Sequence, residues 1–412
     1  MEKLLIVGAG IGQMPILKKA KARGIHTTVV SIPGDWPCFE EADDVILCDI
    51  YDREGVVREA AKRRITAVTS DQNDLMNPTV AYVAERLGLP GNSFEAVMTY
   101  CNKNSFRDLC DRTGVPSPRH IAVSAKEIGT VKLDAPLPWI VKPADSQSSI
   151  GVCRIESEDE LDDALRVAVA KSPTGTAILE EFFVGTEYVC EGFIDDGVYH
   201  LLQFADRKYF DLGGLLIPSQ TVFPSLLAEE YRNRIVSYES ALAREVRPAF
   251  AIVHSEYLVN ERTGEIRVVE SALRGGGVYI SSHLIPLSTG IDANDLLLDK
   301  VLGLPTNTVE VFAGREDRAA GYICFYLSEG TITKVSGVED LKAMPSVHMI
   351  CLDGIEVGAK TARPTYKGAR KGPILVSAES RQELDKEIQR VQDTLKIETV
   401  DASGFVSAEH WA

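Results

Sequence analysis

The chain has no C-x-x-C pair. Its eight cysteines (38, 48, 101, 110, 153, 190, 324 and 351) are scattered singly. That spacing argues against a zinc site or a disulfide framework, and reads as reduced, mostly buried thiols of a cytoplasmic protein. Positive charge is also scarce. Lys and Arg number 44 against 60 Asp and Glu, a formal net charge of −16 with no basic block to offset it. This balance argues against nucleic acid as a partner, while leaving room for a local cleft that binds a nucleotide. No apolar run approaches the length of a membrane span, so no membrane partner is expected. The opening Met1-Glu-Lys-Leu-Leu-Ile-Val-Gly8 enters a strand at once, which leaves no place for a signal peptide. Internal repeats, low-complexity segments and the phosphate loop G-x-x-x-x-G-K-[ST] are all missing.

What remains is an ordinary globular composition, 45% hydrophobic and 25% charged, over 412 residues. That length predicts two or three domains. Strands at Leu4–Val7, Thr27–Ser31 and Ala67–Ser70 alternate with helices up to about Ala22, at Glu54–Arg64 and at Pro78–Leu87. Such alternation implies a parallel, doubly wound sheet. The first turn, Gly8-Ala-Gly10-Ile-Gly12, has Gln13 where the dinucleotide fingerprint needs its third glycine. The second strand ends in Ser31 rather than an acid, so NAD or FAD binding is not expected. From Asn102 the pattern changes: a helix Lys103–Thr113, a strand Trp139–Pro143 ending at Lys142, and a polar Ser/Gly loop, Asp145–Gly151. A strand Val152–Ile155, a helix Glu158–Ala170 and a strand Ala177–Phe183 follow. Strands from Gly185 to Lys208, a long helix Glu229–Val246 and a helical run Tyr279–Leu302 continue the middle part. A smaller α+β piece after Ala313 holds strands near Gly321–Leu327, Ser346–Leu352 and Pro373–Ser377, and closes with a helix Arg381–Thr394. The boundaries fall at 1–98, 99–312 and 313–412, and the fold class is α/β in several domains.

The chemistry concentrates in the middle part. Glu256–Val259 and Ile266–Val269 flank a Thr263-Gly264 turn, the signature of a β-hairpin. Each strand carries a carboxylate, Glu256 and Glu270, and the second delivers Arg274 followed by Gly275–Gly277. Two carboxylates beside a cation and a flexible glycine run suit Mg·ATP phosphoryl transfer, which needs oxygen ligands and positive charge at the transferring group. Lys142, with backbone amides of Ser148, Ser149 and Gly151, suits phosphate, and Lys103 adds a second cation. Glu180-Glu181-Phe182-Phe183 offers an adenine ring a carboxylate, an extended backbone and apolar walls. Glu187 stands ready for ribose hydroxyls.

The order of these motifs resembles the ATP-grasp superfamily: a lysine, V-K-P with a Ser/Gly loop, E-E-F-x-x-G-x-E, H-x-E, then E-x-x-x-R-G-G-G. It is most similar to the branch of L-amino acid ligases, biotin carboxylase and carbamoyl-phosphate synthetase. The resemblance implies a Rossmann-like domain 1–98, an ATP-grasp domain 99–312 with a mobile small lobe at about 115–183, and a C-terminal lobe 313–412. It makes Lys103 and Lys142 phosphate contacts and Ser148 to Gly151 a phosphate-covering loop. Glu180 and the backbone of Phe183 would meet adenine, and Glu187 the ribose. Glu256 and Glu270 match the carboxylates that hold Mg²⁺ (or Mn²⁺), and Arg274 the arginine beside the phosphorylated intermediate. Lys208 would be a further phosphate contact. Relatives read E-x-N-x-R where this chain has Ala272, which puts a second metal ion in doubt. The implied reaction joins a small carboxylate to an amine through an acyl phosphate, releasing ADP and phosphate. Two alternatives stay open: a carboxyphosphate or purine-pathway enzyme, and a non-catalytic nucleotide-binding module. Small-molecule carboxylates and amines are the expected partners, and a homodimer is left open.

Overall fold

The computed structural model describes residues 2–146, 150–212, 217–364 and 369–411. The chain divides into two compact units. The first comprises Met1–Leu202, Ala228–Ser282 and Asp292–Phe312, and the second Gln203–Leu227, His283–Ile291 and Ala313–Ala412.

The first unit begins with a four-stranded sheet in the order Asp44–Leu47, His26–Ser31, Lys3–Val7, Ala67–Thr69, parallel throughout. Leu4 to Val7 are fully buried, as a strand covered on both faces requires, which is why it reads as one apolar run. The helices Met14–Ala22, Arg53–Arg63 and Asn77–Leu87 lie within a residue or two of their expected ends, apart from the start of the first, a short 3₁₀ turn. The strand Asp44–Leu47 and the helix Phe94–Cys101 were not legible. Four residues and two turns carry too little periodicity to stand out.

A second sheet of the same unit is antiparallel and runs His120–Ser124, Thr176–Glu181, Trp139–Pro143, Cys153–Ile155. It owns its core: Val123, Trp139, Val141, Ile155, Leu165 and Leu179 pack together. The helix Leu161–Lys171 enters after a reciprocal capping box, Ser157 with Glu160, and buries Leu161, Ala164, Leu165 and Ala168 at helical spacing. Truncating Leu165 to Ala should cost about 2–5 kcal/mol. The expected strand through Phe183 ends at Glu181, so Phe182 and Phe183 lie beyond it. The third sheet of this unit sets Glu265–Ala272 beside Phe250–Asn260, then Thr186–Asp195, then the start of Val198–Tyr209. Between these strands in sequence lies the helix Glu229–Val246, ending where expected.

The second unit continues from the end of Val198–Tyr209 through Pro218–Phe223, Ala319–Phe325, Lys371–Ala378 and Val347–Ile350. A further sheet holds Lys360–Thr361, Gly330–Ser336, Lys396–Val400 and Val406–Ala408. These four strands escape sequence reading because they are short or charged on alternate positions, as with Lys334 and Glu398. The helix Arg381–Thr394, capped by Ser380, buries Leu384, Ile388 and Val391. The expected helical run Tyr279–Leu302 is instead a π turn, Ile280–Leu284, then Ile285–Thr289 and Ala293–Val301. Gly290, at φ +71°, breaks it. Among the described residues no helix is long and apolar enough to cross a membrane.

Candidate active site

The two carboxylates of the hairpin face each other: Glu256 is the register partner of Glu270. Directly after this pair the register slips, so that Tyr257 meets Val268 and Val269 is left as a bulge. A bulge re-aims its neighbours and frees a backbone group from the ladder. The register is pinned from the opposite face. Ser255 and Ser271 are bonded hydroxyl to hydroxyl at 2.9 Å, and the buried Glu239 accepts from Ser271 (3.3 Å) and from the Tyr257 hydroxyl (2.5 Å). Burial holds the Glu239 carboxyl above its ordinary range, against the pull of these donors. A one-residue slip would turn both glutamates to the wrong face.

Two cations, Arg274 and Lys103, lie within electrostatic reach of this pair, and a third, Lys142, neighbours Lys103. Arg274 follows Glu270 by four residues, and its guanidinium lies within electrostatic reach of Glu270 and Glu256. Its Nε and Nη2 donate to the two oxygens of Asp74 at 3.0 and 2.9 Å, and Nη1 donates to the Gly275 carbonyl at 3.0 Å. Burial works against the charge, but Asp74 more than compensates and keeps the guanidinium protonated. Lys103 opens the helix Lys103–Thr113, which Asn102 caps and Gly114 ends in the left-handed region. Its Nζ donates to the Ser146 carbonyl at 2.6 Å. Burial lowers the Lys103 pKa, with Glu270 pulling upward and Lys142 pushing further down.

Lys142 is 2.5 Å from Glu180, whose other oxygen takes Arg107 Nε at 2.9 Å. Burial would raise the Glu180 carboxyl, yet Arg107 and Lys142 outweigh it and hold it at about 2. Glu180 is only 2% exposed, and each of its carboxylate oxygens already accepts from one of these cations, so it anchors Lys142. Arg107 also donates to the carbonyl of the bulge residue Val269 at 2.6 Å. One buried guanidinium thus ties the Lys142–Glu180 pair to the strand that carries Glu270.

The other expected residues are distributed as follows. Gly151 has φ +72°, and a Cβ there would sit 3.0 Å from the Pro143 ring, so glycine is required. Ser148 and Ser149 lie outside the described residues. The Glu181 amide donates to Arg119 and the Phe182 amide to Pro138. Arg154 stacks over the Phe182 ring at 4.1 Å and Arg267 over Phe183 at 4.9 Å, so both rings serve cations. Glu187, near the start of its strand, partners Leu258 in register. Lys208 belongs to the second unit, exposed, opposite Gln220.

Several site residues were given no role of their own from sequence, although His254 stands in the H-x-E motif and Gly276 in the glycine run. His254 bridges Glu191 and Glu256, and its pKa rises to about 9 because Glu191 overrides the cost of burial. Gly276 lies against this pair; a Cβ there would fall 2.5 Å from a Glu191 oxygen. Asp71, fully buried, accepts from the Gly275 amide (2.9 Å), Ser281 (2.7 Å) and Asn294 (3.2 Å). Asp71 and Asp74 follow the strand Ala67–Thr69, at the carboxyl end of a parallel sheet, where α/β proteins place their ligands. That position was the available signal. Arg107 gave none, because a lone arginine on a helix reads as a solvated residue.

The donor set suits Mg²⁺, which takes one or two protein carboxylates and completes its octahedron with phosphate oxygens and water. Among the described residues no group of three or more His, Cys, Asp or Glu is placed to hold a metal. Ala272, the register partner of His254, offers no ligand atom.

Comparison with known proteins agrees with this geometry. Residues 135–282 match the family model of the ATP-grasp domain, and residues 323–400 that of L-amino acid ligase C-terminal domain 2. An uncharacterised protein of Sinorhizobium fredii is 24% identical over 77% of this chain, and the large chain of carbamoyl phosphate synthase of Mycobacterium tuberculosis 25% over 58%. The chain spans 65% and 22% of those two proteins. Among solved structures, L-amino acid ligase from Bacillus licheniformis superposes with a TM-score of 0.80 at 23% identity, covering 96% of this chain and 98% of that one. Phosphoribosylglycinamide synthetase from Anaerococcus prevotii gives 0.75 at 18%, covering 96% and 99%. The chain thus matches, in order, the model of an ATP-grasp domain over residues 135–282 and that of an L-amino acid ligase C-terminal domain over residues 323–400, and it shares the fold of these solved structures.

Proposed function

We propose that this protein is an ATP-dependent carboxylate–amine ligase that couples an amino acid, or a similar small acid, to an amine with release of ADP and phosphate. The observation that carries this reading is Glu256 in register with Glu270, with Arg274 and Lys103 within electrostatic reach of them and Lys142 beside Lys103. The match of residues 323–400 to an L-amino acid ligase domain supports an amino acid over bicarbonate as the acid. In this reading residues 1–98, 99–312 and 313–412 are the Rossmann-like, ATP-grasp and C-terminal domains.

A carboxylate carbon is a poor electrophile and oxide a poor leaving group, so the acid must first become an acyl phosphate. Mg²⁺ on Glu256 and Glu270 would neutralise phosphate charge when bound. The chain's own part is positioning and charge. Lys103 and Lys142 hold phosphate oxygens, and Arg274 faces the charge that develops on the transferring phosphoryl group. The Glu180–Arg107–Val269 chain fixes Lys142 relative to Glu270, so that the two ends of the phosphate are gripped at a set distance. The backbone of Phe183, just beyond the strand Thr176–Glu181, meets the adenine edge together with Glu180. A matrix of amino acids offered as acid and as amine, with ADP release read for each pair, tests the proposal. Turnover with bicarbonate alone would favour a carboxyphosphate enzyme, and no turnover despite MgATP binding a nucleotide-binding module.

A further inference from the structure

We infer that Asp74 is a positioning residue of the phosphoryl-transfer site, and that it fixes the Arg274 guanidinium in the plane where it meets the transferring group. The inference rests on the ligase reading above. A guanidinium carries five N–H donors in a rigid plane. Asp74 takes two of them, at 3.0 and 2.9 Å, and the Gly275 carbonyl a third, at 3.0 Å. Among the described residues two donors are left, one on each Nη, which is the number needed to hold two oxygens of one phosphoryl group. A side-on, two-point contact from Asp74 removes the rotation about the last side-chain bonds that would otherwise blur those two donors.

Asp74 is itself held. Its backbone carbonyl accepts from the Asn77 amide, and the Asn77 side chain donates to the Leu273 carbonyl at 3.0 Å. Three residues away, Asp71 clasps the Gly275 amide and Ser281. The segment 71–77 therefore grips both the arginine and the loop behind it. That loop is strained: Val278 and Tyr279 have φ +59° and +61°, and Gln72, packed against them, has φ +63°. Non-glycine residues in this region cost about 1–3 kcal/mol each and persist only where their surroundings hold them. Such strain concentrates where a backbone must be aimed. Asp74 differs from a mere surface partner because its side chain is 25% exposed and that of Arg274 only 10%.

The test compares Asp74→Asn, Asp74→Glu and Arg274→Lys with the double variant Asp74→Asn/Arg274→Lys. For turnover, Asp74→Asn should lower kcat by roughly 10–100-fold with the KM for MgATP unchanged, the size expected when a donor is displaced by about 1 Å. Asp74→Glu, which keeps the charge, should recover part of the loss. The double variant should be no slower than Arg274→Lys alone, because the aspartate acts only through the arginine. Additive losses in the double variant, or a normal kcat in Asp74→Asn, would overturn the inference. A second measurement does not require turnover: calorimetric binding of orthovanadate to the protein saturated with MgADP. Asp74→Asn should weaken vanadate at least tenfold and leave MgADP unchanged. Equal vanadate affinity in Asp74→Asn and wild type overturns the positioning role even if no acid–amine pair is turned over, an outcome that would separately overturn the ligase reading. Should the Asn variant fail to fold, Asp74→Glu supplies the same readouts.

Discussion

Two glycine-rich turns of this protein end in opposite ways. Gly8–Gly12 follows the first parallel strand, and by its spacing was the more familiar ligand motif. Its space is filled from within: the Gln13 side chain accepts from the Gly10 amide at 3.2 Å and donates to the Asp71 carbonyl at 2.7 Å. Gly275–Gly277 matches no dinucleotide fingerprint, yet it follows Arg274 and is gripped by Asp71 and Glu191. Glycine marks close backbone approach in both places. What approaches is a neutral amide in the first and a set of charges in the second, and only the second has the electrostatics of a phosphoryl-transfer site.

The sharpest way to break this contrast is to remove charge at the second turn and polarity at the first. Glu270→Gln keeps size and hydrogen bonding but loses the anionic oxygen a hard cation prefers, so turnover should fall by about 10³ or more and respond poorly to added Mg²⁺. Glu256→Gln should behave similarly. Steady-state ADP release across a magnesium series checks both, and near-normal rates would return the hairpin to an ordinary surface feature.

Arg274→Lys keeps one charge and gives up the planar fork. It should leave calorimetric MgATP binding intact while lowering kcat by roughly 10²–10³. Loss of nucleotide binding instead would move Arg274 from the reacting phosphoryl group to the ground-state site.

A pH series sharpens the role of Glu180. Arg107 and Lys142 hold its folded pKa at about 2, below the ordinary 4.5 of a glutamate. The stabilisation is therefore complete above pH 4.5 and is lost as pH falls toward 2, amounting to about 3 kcal/mol. Urea midpoints of the wild type should drop steeply across that window. Glu180→Gln should be destabilised at neutral pH, with Arg107 left buried and unpaired, and its midpoint should change much less between pH 4.5 and 2. Parallel slopes would mean the ion pair is screened by solvent after all.

The smallest effect belongs to the first turn. Gln13→Ala leaves the Gly10 amide and the Asp71 carbonyl without that partner and should cost about 1–3 kcal/mol of stability. Turnover should stay within about twofold, and calorimetry should show no NAD binding to either form. A tenfold loss of kcat with unchanged stability would give the first turn a part in the site.

Sequence reading went furthest where a residue's meaning is local. Apolar periodicity places the helices Lys103–Thr113, Glu229–Val246 and Arg381–Thr394, with N-caps at Asn102 and Ser380 and a terminal Gly114 adding to it, because these signals act within a few residues. The hairpin was legible for the same reason, but the register set by its turn would place Glu256 opposite Val269, and the bulge at Val269 is what brings it opposite Glu270. Short strands such as Lys360–Thr361 and Val406–Ala408 were not, since only their neighbours make them strands.

What the amino acids by themselves determined is the inventory of charge along the chain: Lys142, Glu180, Glu256, Glu270 and Arg274, in that order. Tertiary structure alone decided how those charges are spent. Glu180 reads as a free acceptor until Arg107, 73 positions away, closes on it. Arg274 reads as a lone cation until Asp74, 200 positions away, takes its fork. Electrostatic partners act through space and not along the chain, so a residue's type sets what it can bind, and only the fold sets what it has already bound.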